Sequence, residues 1–75
     1  MSSKETLTSV AAGNLRAEMA RQRKTSADLA DALNCSQSSA SRRMTGETVM
    51  DLDELAAIAN WLQVNTNALL SKAAA

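Results

Sequence analysis

The sequence contains no proline, no histidine, no phenylalanine and no tyrosine; it has one cysteine (Cys35), one tryptophan (Trp61) and two glycines, Gly13 and Gly46. Each shortage removes an option. One cysteine cannot close an internal disulfide, and with no histidine beside it there is no ligand set for a zinc site. No apolar run approaches the length that crosses a bilayer, and Met1-Ser2-Ser3-Lys4-Glu5 is not a signal peptide. Neither an activated nucleophile nor a phosphate loop is present, so an enzyme is not expected, and no cofactor, metal or small-molecule ligand is expected either. An unpaired cysteine fits a reducing, cytoplasmic setting.

What remains favours helix. Alanine, leucine, methionine and charged residues dominate the 75 positions, and the composition reads as all-α. A chain of this length makes one domain at most, 1–75, with an ordered core expected over about 6–71 and short flexible ends.

The formal net charge is zero, with eight basic and eight acidic side chains. Their distribution is uneven. Residues 13–46 hold Arg16, Arg21, Arg23, Lys24, Arg42 and Arg43 against Glu18, Asp28 and Asp31, six against three, a net of +3. The remainder holds Lys4 and Lys72 against Glu5, Glu47, Asp51, Asp53 and Glu54, two against five, a net of −3. A protein that averages zero can still present a positive face.

Five helices follow from periodicity and caps. Leu7, Val10, Ala11, Leu15 and Met19 recur at helical spacing and predict a first helix ending near Gln22, with Ser2, Ser3, Thr6 and Thr8 as alternative N-caps. Thr25-x-x-Asp28 has the form of a capping box and opens a helix from Ser26 to Leu33 with Ala27, Leu29, Ala30 and Leu33 as its apolar stripe. Asn34 tolerates the left-handed conformation that ends helices. Cys35 is the apolar residue of the turn, more economically a small buried hydrophobe than a redox switch, and Ser36 is the next cap. A third helix runs from Gln37 to about Thr45 and stops at Gly46; only Ala40 and Met44 in it can face inward. Asp51-x-x-Glu54 is a second capping box, opening a helix through Leu52, Leu55, Ile58, Ala59 and Leu62; Asn65 caps a fifth with Ala68, Leu69 and Leu70. Capping accounts for the acids of these helices without catalysis.

Helix, three-residue turn, helix, with a small residue in the first helix and an apolar one in the turn, is the helix-turn-helix pattern. In detail the chain resembles the Cro and lambda-repressor-like family of bacteria and their phages. Leu29-Ala30, Leu33, Cys35-Ser36, Ala40-Ser41-Arg42 and Gly46 carry the resemblance, and Leu55, Ile58-Ala59, Leu62, Val64 and Leu69-Leu70 extend it. It covers roughly residues 10–70. Asn34 stands where that family usually has glycine, Ala40 where it has a larger aliphatic, and Lys24 where an apolar residue is common.

The resemblance implies a compact five-helix DNA-binding domain whose third helix enters the major groove of a double-stranded operator. Gln37, Ser38, Ser41 and Arg42 would face base edges, Gln37 suited to adenine and Arg42 to guanine. Thr25, Ser26, Ser36, Arg43, Thr45, Gly46, Arg23 and Lys24 would lie against phosphates. Such proteins pair as two-fold dimers on half-sites one helical turn apart, and Trp61, Leu69, Leu70 and the tail are the candidate dimer surface. The function implied is a small repressor that occupies a promoter. The alternative from another class is a protein-interaction module on the same fold, antirepressor or antitoxin-like, without specific DNA binding.

Overall fold

The structure, a computed structural model, describes residues 6–71. The candidate caps Ser2 and Ser3, the ends expected to be flexible and the alanine tail lie outside the described residues. Five helices run in the order α1 (Leu7–Arg21), α2 (Ser26–Leu33), α3 (Gln37–Thr45), α4 (Leu52–Leu62) and α5 (Thr66–Leu70), with no strand among the described residues. The all-α class is the one the composition implied, and the five helices are those that periodicity and caps predicted.

Helix starts follow the side-chain code closely. Thr6 is the N-cap of α1, its hydroxyl accepting from the Ser9 N–H. Both capping boxes are complete. The Thr25 hydroxyl accepts from the Asp28 N–H (3.2 Å) and Asp28 accepts from the Thr25 N–H (2.8 Å). The Asp51 carboxylate accepts from the Glu54 N–H (2.7 Å), and Glu54 returns the bond from the Asp51 N–H (3.1 Å). Each box satisfies two of the amide groups that a helix start leaves without partners. Asn65 is positioned as the cap of α5 but makes no side-chain cap bond.

Helix ends are made differently. Four residues have left-handed backbone, Arg23 (φ 59), Asn34 (φ 57), Gln63 (φ 60) and Gly46 (φ 89), so only one of the four stops uses glycine. At the other three, two successive amides turn back on the helix end: Arg23 and Lys24 to the carbonyls of Ala20 and Met19, Asn34 and Cys35 to Asp31 and Ala30, and Gln63 and Val64 to Asn60 and Ala59. These paired bonds satisfy carbonyls that would otherwise be unpartnered, and they offset the steric cost of left-handed backbone at a residue with a Cβ.

The core is assembled from Ala11, Leu15 and Met19 of α1, Leu29 and Ala30 of α2, Ala40 of α3, Leu55, Ile58, Ala59 and Leu62 of α4, and Leu69 of α5. A recurring device brings each helix onto it. The residue before the N-cap and the fourth helical residue stand at the positions of a hydrophobic staple in Cys35 and Ala40, Met50 and Leu55, and Val64 and Leu69, and in each case the first packs on the core that holds the second. At α2 the same slot holds Lys24, opposite Leu29. Several residues expected in the apolar stripes stay outside: Leu7 is 66% exposed and Leu52 83% exposed, and Ala27 and Ala68 are also on the surface. Leu7 and Leu52 are each the first residue of their helix, before the chain has turned toward the core. Ala12, absent from the expected stripe of α1, is buried.

Candidate nucleic-acid interface

The α2–turn–α3 unit is set by three adjacent residues with different tasks. Asn34 takes the left-handed conformation (φ 57, ψ 50) that ends α2. Cys35 packs against the core, and the Ser36 hydroxyl starts α3 by accepting from the Ser39 N–H at 3.1 Å. With Ala40 fully buried and Met44 packed at the core's edge, α3 has a fixed inner side. Gly46 stops the helix by conformation rather than by space, since a Cβ there would meet Ala12 only at ordinary contact distance, 3.7 Å.

The outer side of α3 presents Gln37, Ser38, Arg42 and Thr45, all exposed, with Ser41 half-buried among them. Among the described residues, the side chains of Ser38, Ser41 and Arg42 have no hydrogen-bonding or ionic partner. The Gln37 amide donates to the Ser26 hydroxyl at 3.0 Å. That bond brings a residue expected at bases together with one expected at phosphates, and it fixes the start of α3 beside the start of α2. The carbonyl oxygen of Gln37 keeps its acceptor capacity.

Two neighbouring arginines part company. Arg42 points outward, whereas Arg43 is turned inward toward α4. Its guanidinium grips Glu54 with two bonds, Nη2 to Oε2 at 2.9 Å and Nε to Oε1 at 3.2 Å, and its Nη1 donates to the Ser39 carbonyl at 3.0 Å. Arg43, expected at phosphate, thus directs three of its five N–H donors at Glu54 and Ser39 within the fold. The hydrogen bonds to Glu54 hold the guanidinium in its charged form. In return, the bonds from Arg43 and then from the Asp51 amide hold the Glu54 carboxyl below its usual value. Glu54 therefore caps α4 and orients α3 at once.

A second arginine supports α3 from below. Arg16 of α1 donates to the Met44 carbonyl, at the end of α3 where carbonyls lack partners and a cation is favoured. Sequence reading missed Arg16 and the double role of Glu54. An arginine in the middle of α1 gives no linear sign of the carbonyl it reaches 28 positions later. Asn14, which donates to the carbonyls of Leu69 and Ser71 at 2.8 Å each and ties α5 to α1, was equally silent.

The phosphate candidates divide. Thr25 and Ser36 spend their oxygens as caps at the starts of α2 and α3, leaving each hydroxyl proton available. The Thr45 hydroxyl donates to the Arg42 carbonyl, and the Gly46 amide bonds the Arg43 carbonyl at 3.4 Å, so both serve the helix end. Arg23 is exposed. The Lys24 ammonium lies 4.8 Å from the ring centre of Trp61. A lysine in the staple slot of α2 thus finds its partner in the one aromatic residue: the half-buried side chain sets its charge over the ring face.

Of the candidate dimer residues, Leu69 is 2% exposed and belongs to the core of its own chain, so it presents no surface to a partner. A helix of five residues has one inward side, and Leu69 fills it. Leu70 is half-buried, and Trp61 is half-buried with Lys24 against it.

A family model described as a helix-turn-helix domain matches residues 11–72, from the first buried residue of α1 to just past α5. The chain belongs to the helix-turn-helix domain family. Neither a curated protein nor a solved structure matches it. The family is one of DNA-binding regulators, and α2, its turn and α3 have the form of the helix-turn-helix unit. No helix among the described residues is long and apolar enough to cross a membrane.

Proposed function

We propose that this helix-turn-helix chain is a sequence-specific transcriptional regulator, a small repressor of the Cro or phage-immunity kind. It blocks a promoter by laying α3 in the major groove of its operator. The observation that carries the reading is the outer face of α3, where Gln37, Ser38 and Arg42 stand exposed while Ala40, Met44 and Arg43 fasten the opposite side. A helix that presents donors and acceptors outward, held rigidly from behind, is what base-edge recognition needs. The neighbouring starts of α2 and α3 supply amide dipoles and hydroxyls for the phosphates on either side, with Arg23 and Lys24 adding charge. Arg43 has no base or phosphate role in this scheme; it positions α3. The repressor acts as a two-fold dimer on paired half-sites, with Leu70 and the uncovered part of Trp61 as its candidate contacts.

Titration of random and selected duplex DNA across a salt series tests the proposal. Affinity should fall steeply with salt for both, and selected sequences should retain a large advantage at moderate salt. Absence of DNA binding at low salt would leave the protein-interaction module as the better reading. Sedimentation of the free and DNA-bound chain tests the dimer.

A further inference from the structure

The connection from α3 to α4 has an organisation that DNA recognition does not use. From Glu47 to Asp51 the chain alternates: Thr48 and Met50 turn inward, while Glu47, Val49 and Asp51 turn out, followed by exposed Leu52 and Asp53. Folding makes no use of the outward apolar side chains. Met50 already packs against the core from the staple position of α4, and α4 packs through Leu55, Ile58, Ala59 and Leu62. Yet Val49 is 66% exposed and Leu52 83% exposed, so two of the large exposed hydrophobic residues of the described chain lie three positions apart. In a protein whose core relies heavily on alanine, a valine and a leucine facing water at one spot are an unspent resource.

The charge around them is of one sign. Glu47, Asp51 and Asp53 have no ion-pair partner among the described residues, whereas Glu54, the next acid, is neutralised by Arg43. The start of α4 accounts for Asp51 and Asp53 as helix-end acids, but Glu47 lies outside that helix. An acidic surface repels nucleic acid. It also disfavours a second copy of this chain, because a two-fold contact through the patch would set its three carboxylates near their own images. What complements exposed apolar side chains rimmed by carboxylates is a segment with apolar side chains flanked by lysine or arginine.

We propose that residues 47–53 form a docking surface for a basic, apolar-faced segment of another protein, seated beside the C-terminal end of α3. The chain then has two working faces of opposite character: the outer side of α3 for DNA, and Val49 and Leu52 within an acidic rim for a protein. This surface does not depend on the DNA reading.

The test uses the full chain, isotope-labelled, titrated with a short amphipathic peptide of leucine and lysine, and with a control in which glutamate replaces lysine. Amide shifts should concentrate on 47–55 for the lysine peptide alone, and binding should weaken with added salt. The double variant V49S/L52S should bind the peptide at least about tenfold more weakly, with an unchanged circular dichroism melt, and Arg42→Ala should bind it like the parent. Shifts centred elsewhere, equal binding by the glutamate peptide, or undiminished binding by V49S/L52S would each overturn the proposal. So would a parent dimer in sedimentation that V49S/L52S turns to monomer, since that gives the surface to a second copy.

Discussion

Helices α3 and α4 have similar lengths, nine and eleven residues, and reach their places by opposite means. α4 holds itself with four buried side chains of its own, Leu55, Ile58, Ala59 and Leu62, whereas α3 fully buries only Ala40. Beyond Ala40 and the half-buried Met44, the hold on α3 is polar and much of it comes from other helices: Ser26 at its start, Arg16 at its end, and Glu54 on its flank. A helix that must offer polar side chains to a partner cannot also supply a wide apolar stripe, because nine residues give too few positions for both. Ties from neighbours resolve the conflict, and on the outer face they engage only the amide of Gln37, leaving Ser38 and Arg42 untouched.

If that contrast is right, disruption of the two helices should differ in kind. The largest effect belongs to α4: Ile58→Ala empties a fully buried site and should cost about 2–5 kcal/mol in denaturant unfolding, enough to leave a domain this small mostly unfolded. A loss under about 1 kcal/mol would mean that the core does not rest on α4.

Glu54→Ala comes next, removing the cap bond at Asp51 and leaving Arg43 part-buried without its partner, for about 1–3 kcal/mol at neutral pH. Its pH signature separates it from a packing defect. The bonds from Arg43 and Asp51 depress the Glu54 pKa below the usual 4.5, so the folded state binds this proton less readily than the unfolded chain. The stability it contributes is therefore complete above about pH 4.5 and is lost as pH falls through the lower folded value. Asp28 is depressed in the same direction, from the usual 3.8, chiefly by the Thr25 amide. Parent stability should thus decline below pH 4.5, and Glu54→Ala should show a shallower decline; parallel curves would exclude the ion pair as the cause.

Arg42→Ala should leave the melting curve within about 0.5 kcal/mol of the parent while reducing the preference for selected over random DNA by about 1–3 kcal/mol. An equal loss on both kinds of DNA would remove Arg42 from the base readers. The smallest effect belongs to Lys24 and Trp61. Trp61→Leu should cost about 0.5–1 kcal/mol through the lost ring contact, and Lys24→Met, which restores an apolar staple, should cost nothing or stabilise. Fluorescence of the single tryptophan in Lys24→Met reports whether the ammonium leaves the ring.

Much of the scaffold was legible in the linear chain because its signals are local. A cap and the amide it serves are three residues apart, so Thr25 with Asp28 and Asp51 with Glu54 could be read in place. The exposed face of α3 was legible for the same reason: with Ala40 and Met44 turned inward, 3.6-residue geometry leaves Gln37, Ser38 and Arg42 outside. The left-handed stop at Arg23 was hidden, since arginine carries no preference for that conformation and only the returning bonds to Ala20 and Met19 sustain it.

The sequence alone determined where helices begin, which faces are apolar, and that one helix had little to bury. Tertiary structure alone decided which polar groups meet: that Arg43 closes on Glu54 while Arg42 stays free, that Arg16 reaches the end of α3, that Lys24 settles on Trp61, and that Leu69 sinks into the core. Local pattern fixes direction relative to a helix axis, but a long flexible side chain finds its partner only after the axes are packed. The partner is then chosen by distance and desolvation, neither of which is written along the chain.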